Sequence, residues 1–190
     1  MVNDVLAEGQ VSLAMLDGIA AGVGPGAFTG VRIGVSVAQG LAFGAGLPVV
    51  PVTTLEALAL EAIDGGAQRV LACLDARMGE VYWGCFAADS ESGLAPLSTL
   101  QVGAARQVRL PSGGRFRGIG RGFAAYPELA ALPGVDLDPR HAQALPHARE
   151  TARLGAVRLR AGAGIDPAAL EPVYVRDKVA LTEVERRVAK

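Results

Sequence analysis

Short apolar runs alternate with longer amphipathic stretches through the first third of the chain. Glycines bound the apolar runs, and this pattern is typical of buried strands that lead into helices. Glycines also follow the helical stretches, where they favour a helix end. The pattern predicts the tail of a helix over residues 2–9, a strand over 17–24, a helix over 29–43, a strand over 48–52, and a helix from Thr53 or Thr54 through residue 63.

The rest of the chain opens with two apolar runs around a short turn that contains a glycine, which predicts a β-hairpin. Strand and helix patterns then alternate again, so the sequence favours two α/β units. With Gly65-Gly66 as the boundary, the predicted division is 1–66, 67–164 and an extended exit over 165–190. The predicted elements are strands over 69–75, 81–86, 94–102 and 116–120, a weaker helix before Pro111, and helices near 123–132 and over 144–161.

Composition narrows the class of protein. Apolar residues make up 51% of the 190-residue chain, which is enough for sizeable cores. No apolar run approaches the roughly 20 residues of a membrane span, and the first residues lack the pattern of a signal peptide, so a cytoplasmic protein without a membrane partner is predicted.

Cys73 and Cys85 are expected to be reduced core residues, and His141 and His147 lack companions for a metal site.

Charge is unevenly distributed along the chain. Residues 1–70 carry six acids and two bases, a balance of −4, whereas residues 101–162 carry ten arginines against four acids, a balance of +6. This asymmetry is typical of two units with different surroundings. The arginines either form a solvated surface or contact the backbone of an RNA, and the sequence leaves both open.

A glycine-rich joint connects the first predicted strand to its helix, and such a joint can bind anions through free backbone N–H groups. Gly22, Gly24 and Ala27 match the dinucleotide-binding spacing. However, Pro25 removes one N–H group, and the strand over 48–52 ends without an acid for a ribose hydroxyl. A phosphate-binding P-loop fails as well, because Thr29-Gly-Val-Arg stands where Gly-Lys-Ser/Thr is required.

The helix after the joint favours a packing role instead. Each interior glycine costs a helix about 1 kcal/mol relative to alanine, and several in one helix indicate close approach of other backbones. Two rows of small residues, each at four-residue spacing, predict that two other elements pack closely on this helix. One of these elements lies either in this chain or in a partner. The two rows are Gly30, Gly34, Ala38 and Ser36, Gly40, Gly44.

Three blocks of the sequence, over residues 24–42, 75–83 and 172–182, closely resemble the bacterial TsaB (YeaZ) family. They occur in the family's order and span nearly the whole chain. The resemblance implies an α/β, actin-like (ASKHA/RNase H-like) fold with two lobes. It also implies a subunit that has no catalytic residues, metal or cofactor of its own.

The partner implied by the resemblance is the homologous TsaD protein, which with the ATPase TsaE transfers a threonylcarbamoyl group to an adenosine of tRNA. This chain would support TsaD as a heterodimer and would form a homodimer when alone. The interface would use Phe28, Thr29, Arg32, Val35, Ser36 and Gln39, with Gly24, Pro25, Gly26, Gly30 and Gly34 shaping it.

The chain departs from the family at its front. Family members begin with a strand hairpin, whereas this sequence begins within the following helix, so we expect an incomplete first lobe with an open sheet edge and no first phosphate loop.

The second phosphate loop would lie at residues 75–80, where bulky Arg77 and Met78 stand, and Asp75 and Arg77 are predicted to pair or to cap the turn. The alternative is a nucleotide-binding ATPase or kinase of the same fold.

Overall fold

The computed structural model describes residues 2–176. The parts of the predicted exit and of the third family-like block beyond residue 176 lie outside the described residues. The helices are α1 (Val2–Glu8), α2 (Phe28–Ala45), α3 (Thr54–Asp64), α4 (Gly122–Ala125) and α5 (Ala148–Arg160). The strands are β1 (Ile19–Gly22), β2 (Val49–Val52), β3 (Arg69–Arg77), β4 (Glu80–Asp89), β5 (Gly93–Pro96), β6 (Gln101–Ala104), β7 (Phe116–Ile119) and β8 (Val135–Leu137).

A two-stranded parallel sheet, β1 beside β2, forms the first layer. Successive side chains of β1 point to opposite faces, as the pleat requires. Ala21 faces the core under α2, whereas Ala20 lies directly against Gly155 of α5. The small sheet is therefore covered by α2 on one face and by α5 on the other.

Helix α3 connects this small sheet to the larger one. It begins with a capping box, in which Thr53 Oγ1 accepts the N–H of Glu56 at 3.2 Å and Glu56 Oε2 accepts the N–H of Thr53 at 2.7 Å. Leu55 and Leu58 are fully buried in one core cluster with Val70 of β3 and Phe86 of β4. The predicted start of this helix is confirmed.

The second sheet has six strands in the order β5-β4-β3-β7-β8, with β6 pairing to the other end of β4. Val70 and Ala72 point toward α3, whereas Leu71 and Cys73 point into a separate cluster with Trp83. Both faces are covered, which explains why β3 is a nearly continuous apolar run. The predicted hairpin is confirmed, and its strands extend to Arg77 and Glu80.

Helix α5 folds back onto the front of the chain. It packs on β1, β2 and α3, although it belongs to the second of the predicted segments. Arg153 pairs with Asp64, and Arg158 pairs with Glu56 at 2.5 Å, so arginines of the basic region neutralise acids of the acidic region. These ion pairs partly neutralise the charge asymmetry along the sequence. The division into segments stays a prediction.

Several predicted elements differ from the structure. The helix predicted over 123–132 is α4 followed by a 3-10 turn, because Pro127 lacks the N–H that would continue the helix. The strand predicted over 94–102 is two strands, β5 and β6, which pair with different halves of β4. The helix predicted over 144–161 begins only at Ala148, after Pro146, and the weaker helix before Pro111 is a 3-10 turn over Ala105–Gln107. Strand β8 was not predicted.

Candidate functional site: the outer face of helix α2

The joint between β1 and α2 is buried at Val23, Gly24 and Pro25, and it is tied to the neighbouring helix α3. The N–H of Thr54 donates to the carbonyl of Gly24 at 2.8 Å, and Thr54 Oγ1 donates to the carbonyl of Pro25 at 2.5 Å. Gly24 has a positive φ of 93°, which favours glycine, and the bond to Pro25 is cis. The joint therefore fixes where α2 begins relative to α3.

The inner face of α2 packs closely on β1. Val35, Ala38 and Ala42 are its buried residues, and they share a cluster with Ala21 and Val23. The helix ends at Gly46, whose left-handed conformation terminates it in the manner of a C-cap glycine. The helix predicted over 29–43 extends to Ala45, so Gly44 lies inside it.

The outer face of α2 is exposed and nearly free of charge. Its large apolar residues Ile33, Val37 and Phe43 are 60%, 49% and 80% exposed. A Cβ atom placed on Gly34 or Gly40 would meet no atom within 4 Å. Within residues 2–176, this glycine-bearing face has no second neighbour, so the small residues form shallow open grooves beside exposed apolar side chains.

Ten of the eleven predicted interface residues divide into three groups in the structure. Gly24 and Pro25 are buried in the joint and shape it, and Gly26 is exposed beside them. Val35 is only 3% exposed and faces the core, so in this structure its side chain lies on the inner face of α2. The exposed members are Phe28, Thr29, Gly30, Arg32, Gly34 and Ser36.

The exit segment, residues 170–176, accounts for the remaining predicted residue. Gln39 Nε2 donates to the carbonyl of Leu170 at 3.0 Å, so Gln39 holds this segment against α2. The N–H of Val173 donates to the carbonyl of Val23 at 2.8 Å, and Arg176 donates to Glu80 Oε2 at 2.5 Å. The segment thus runs from the first sheet to the hairpin of the second.

Sequence reasoning missed four exposed residues of this surface: Ile33, Val37, Phe43 and Tyr174. Ile33 and Val37 have a detectable signal, because their four-residue spacing places them on one helical face opposite Val35 and Ala42. Tyr174 lies more than a hundred positions away from α2 in sequence, and no local pattern connects the two.

A cleft of about 810 Å³ lies between the start of α2 and the β3–β4 hairpin. At its edge Asp75 pairs with Arg77 at 3.2 Å and accepts the Arg77 N–H at 2.8 Å, so the predicted pairing at this turn is confirmed. Arg77 and Met78 both have positive φ angles, of 63° and 56°. Tyr126 also donates to Asp75 at 3.3 Å, and partial desolvation together with the nearby carboxylate raises the pKa of Tyr126.

The described residues contain neither a cluster of metal ligands nor a membrane-spanning helix. No group of three or more His, Cys, Asp or Glu side chains that could hold a metal ion occurs within residues 2–176. In the same part of the chain, no helix is long and apolar enough to cross a bilayer.

The architecture is that of an actin-like α/β protein, and solved structures with this fold align with it closely. "YeaZ from Pseudomonas aeruginosa" has a TM-score of 0.81 and 38% identity, and the match covers 91% of this chain and 81% of that one. A second P. aeruginosa protein, described as uncharacterized with similarity to peptidase YEAZ, has a TM-score of 0.84 and 39% identity over 93% of this chain and 81% of that one.

Sequence relatives give the family. The tRNA threonylcarbamoyladenosine biosynthesis protein TsaB of Escherichia coli K12 is 38% identical over 184 residues, which cover 95% of this chain and 79% of the relative. The TsaB protein of Haemophilus influenzae is 37% identical over 191 residues, with 94% and 78% covered. A family model described as "TsaD: tRNA N6-adenosine threonylcarbamoyltransferase" matches residues 1–95. The chain belongs to the TsaB (YeaZ) family, as the three sequence blocks predicted.

Proposed function

We propose that this chain acts in the biosynthesis of threonylcarbamoyladenosine in tRNA, as the non-catalytic subunit that docks onto the homologous TsaD protein through the outer face of α2. The relatives named TsaB and the TsaD family model over residues 1–95 support the pathway and the partner. One observation supports the assignment of the docking surface to α2: its outer face is exposed and nearly uncharged, whereas its inner face is already packed.

The chemistry of this face suits another helix. Ile33, Val37 and Phe43 remain exposed in the described chain, and burying them against a partner removes apolar surface from water. Gly34 and Gly40 leave open space beside them, which lets the backbone of a second helix approach closely. A helix that presents apolar side chains between glycines is typical of a packed interface rather than of a solvated surface.

The remaining partners follow from this role. TsaE joins the larger assembly, the isolated chain pairs with itself through the same face of α2, and the complex works in the cytoplasm without a cofactor or metal held by this subunit. Contact with tRNA would use arginines that hold no carboxylate within residues 2–176. These arginines, all from the basic region, are Arg106, Arg109, Arg115, Arg121 and Arg160.

A leucine at Gly34 tests the docking surface. Because a Cβ at this position meets no atom within 4 Å, Gly34→Leu should fold as well as the unaltered chain. Its side chain would fill the groove that the partner helix enters, so we expect loss of co-elution with TsaD on gel filtration and at least a tenfold weaker Kd by calorimetry.

The control is Ala152→Leu, which places the same side chain at an exposed position of α5. It should leave TsaD binding within about twofold of the unaltered chain. Normal co-elution of the Gly34→Leu chain, with an unchanged melting temperature, would place the interface elsewhere. Unfolding of this variant would show instead that the glycine face packs inside the chain.

A further inference from the structure

Arg32 is the only charged residue of α2, and aromatic rings hold its side chain in place. Its guanidinium carbon lies 3.7 Å from the centroid of the Phe28 ring and 5.5 Å from that of Tyr174. Its Nε donates to the Tyr174 hydroxyl at 2.8 Å. The guanidinium is therefore oriented by a cation–π contact and a hydrogen bond, and no carboxylate among residues 2–176 pairs with it.

The terminal nitrogens of Arg32 have no acceptor within residues 2–176. Other arginines of the chain hold carboxylates, as Arg117 does with Asp136 and Arg140 with Asp138. Among the described residues Arg32 uses only its Nε as a hydrogen-bond donor, which leaves its terminal N–H groups available to an acceptor from outside. A guanidinium in this state matches the two oxygens of a carboxylate in a bidentate pair.

We propose that Arg32 receives an aspartate or glutamate side chain of the TsaD partner, in a bidentate ion pair at the edge of the α2 interface. This assignment rests on the proposed function, because it names the chemistry of the same docking surface. Phe28 and Tyr174 act as positioning residues, since they fix the guanidinium before the partner arrives and so reduce the entropy lost on binding.

The surroundings of Arg32 favour a protein carboxylate over a nucleic-acid phosphate. Binding to a phosphate backbone uses several cations along one surface, whereas Arg32 is alone on its helix. The adjacent residues are apolar and exposed, with Phe28 at 53%, Tyr174 at 55% and Ile33 at 60%. Arginine and aromatic residues beside an apolar patch are typical of the energetically dominant part of a protein–protein interface.

Substitutions of Arg32 test the pair through the Kd for TsaD, measured by calorimetry with the full chain. Arg32→Gln removes the charge, and Arg32→Lys keeps the charge but loses the planar pair of N–H donors of the guanidinium. We expect both to weaken binding by about tenfold or more, because neither can form the bidentate pair. Arg140→Gln is the control, since it removes an exposed arginine that lies outside α2 and pairs with Asp138, and it should stay within about twofold.

Tyr174→Phe tests the positioning role, because it keeps the ring and removes only the acceptor for Arg32 Nε. We expect a loss of about two- to fivefold in the unaltered background and no further loss when it is combined with Arg32→Gln. Charge reversal then identifies the partner residue. Arg32→Glu should abolish binding, and one Asp→Arg or Glu→Arg variant of TsaD should restore it.

Three results would overturn the assignment, and the first two of them leave the proposed function standing. If the unaltered chain binds TsaD but Arg32→Gln binds equally well, the ion pair is wrong while the docking proposal stands. If Arg32→Gln lowers affinity for tRNA alone, the acceptor is a phosphate and the carboxylate assignment is wrong. If the unaltered chain does not bind TsaD at all, both proposals fall.

Discussion

Cys73 and Cys85 are free thiols that lie on one face of the six-stranded sheet, in the cluster that contains Trp83 and Phe116. Burial raises the pKa of Cys85 to about 11, and it raises the pKa of Cys73 well above the ordinary value. Both residues are buried, as their positions in apolar strands predicted. The structure adds a pH dependence that the sequence did not reveal.

The raised pKa of Cys85 predicts loss of stability at high pH. A thiol with a folded-state pKa above its unfolded value of 9.0 contributes stability that is complete below pH 9 and is lost as the pH rises from 9 to 11. Each such thiol should lower the free energy of unfolding by about 1 kcal/mol per pH unit in that range.

Urea denaturation at pH 8 and pH 10.5 measures this effect, with Cys85→Ala as the comparison. The alanine variant begins less stable because it leaves a cavity, but its deficit relative to the unaltered chain should shrink as the pH rises. A deficit that stays constant between the two pH values would show that the Cys85 thiol does not titrate in this way.

At the scale of single elements, α2 and α5 use glycine for opposite purposes. Gly40 of α2 has nothing within 4 Å of a Cβ position, whereas a Cβ on Gly155 of α5 would overlap that of Ala20 in β1. The same residue type therefore marks an open surface in one helix and a tight helix–sheet contact in the other. Sequence spacing cannot separate these two cases, because both glycines lie inside helical patterns.

Paired alanine substitutions distinguish the two environments. Gly40→Ala should raise the free energy of unfolding by up to about 1 kcal/mol, because alanine favours the helix and fits the open space. Gly155→Ala should lower it by about 1–3 kcal/mol, because α5 must move away from β1. Chemical denaturation of the two variants measures both changes, and a stabilising effect of Gly155→Ala would contradict the close contact with Ala20.

Element boundaries could be predicted where local chemistry determines them. The start of α3 was predicted because Thr53 and Glu56 satisfy each other within one turn. Strand β8 was missed because three residues are too short for a pattern, and it depends on pairing with β7. The length of the helix after residue 122 was overestimated because apolar spacing continues past Pro127 although its hydrogen bonds cannot.

At the scale of the whole molecule, one carboxylate connects distant parts of the chain. Glu56 accepts the N–H and hydroxyl of Thr53 at 2.7 and 2.8 Å, and it pairs with Arg158 of α5 at 2.5 Å. The Glu56 and Arg158 side chains are only 16% and 29% exposed, so solvent screens the pair less than it would at the surface. The helix cap and the return of α5 therefore depend on the same group.

A double-mutant cycle on Thr53→Ala and Arg158→Met tests this coupling. Each change should cost about 1–2 kcal/mol of unfolding free energy. Together they should cost less than their sum by at least about 0.5 kcal/mol, because loss of either contact loosens the other's hold on Glu56. Thr53→Ala with Arg153→Met is the control, and it should be additive since Arg153 pairs with Asp64 at the far end of α3.

The sequence indicated α2 as the candidate surface, and the remaining features of this surface depend on tertiary contacts. The glycine spacing indicated a packing surface on α2, and the resemblance singled out Arg32 on it. Neither could place Val35 in the core or bring Tyr174 to Arg32, because the direction of the helix faces and the path of the exit segment are set by packing on β1.

The glycine-bearing face of α2 also affects how much side-chain entropy is lost, and how little the helix must rearrange, when a partner binds. Glycine has no rotamers to freeze, and β-branched Ile33 and Val37 have few, so the surface loses little side-chain entropy when it becomes ordered against another helix. A docked α2 should therefore resemble its free form closely. We therefore expect that a partner would bind the shape that α2 already has, without rearrangement of the helix.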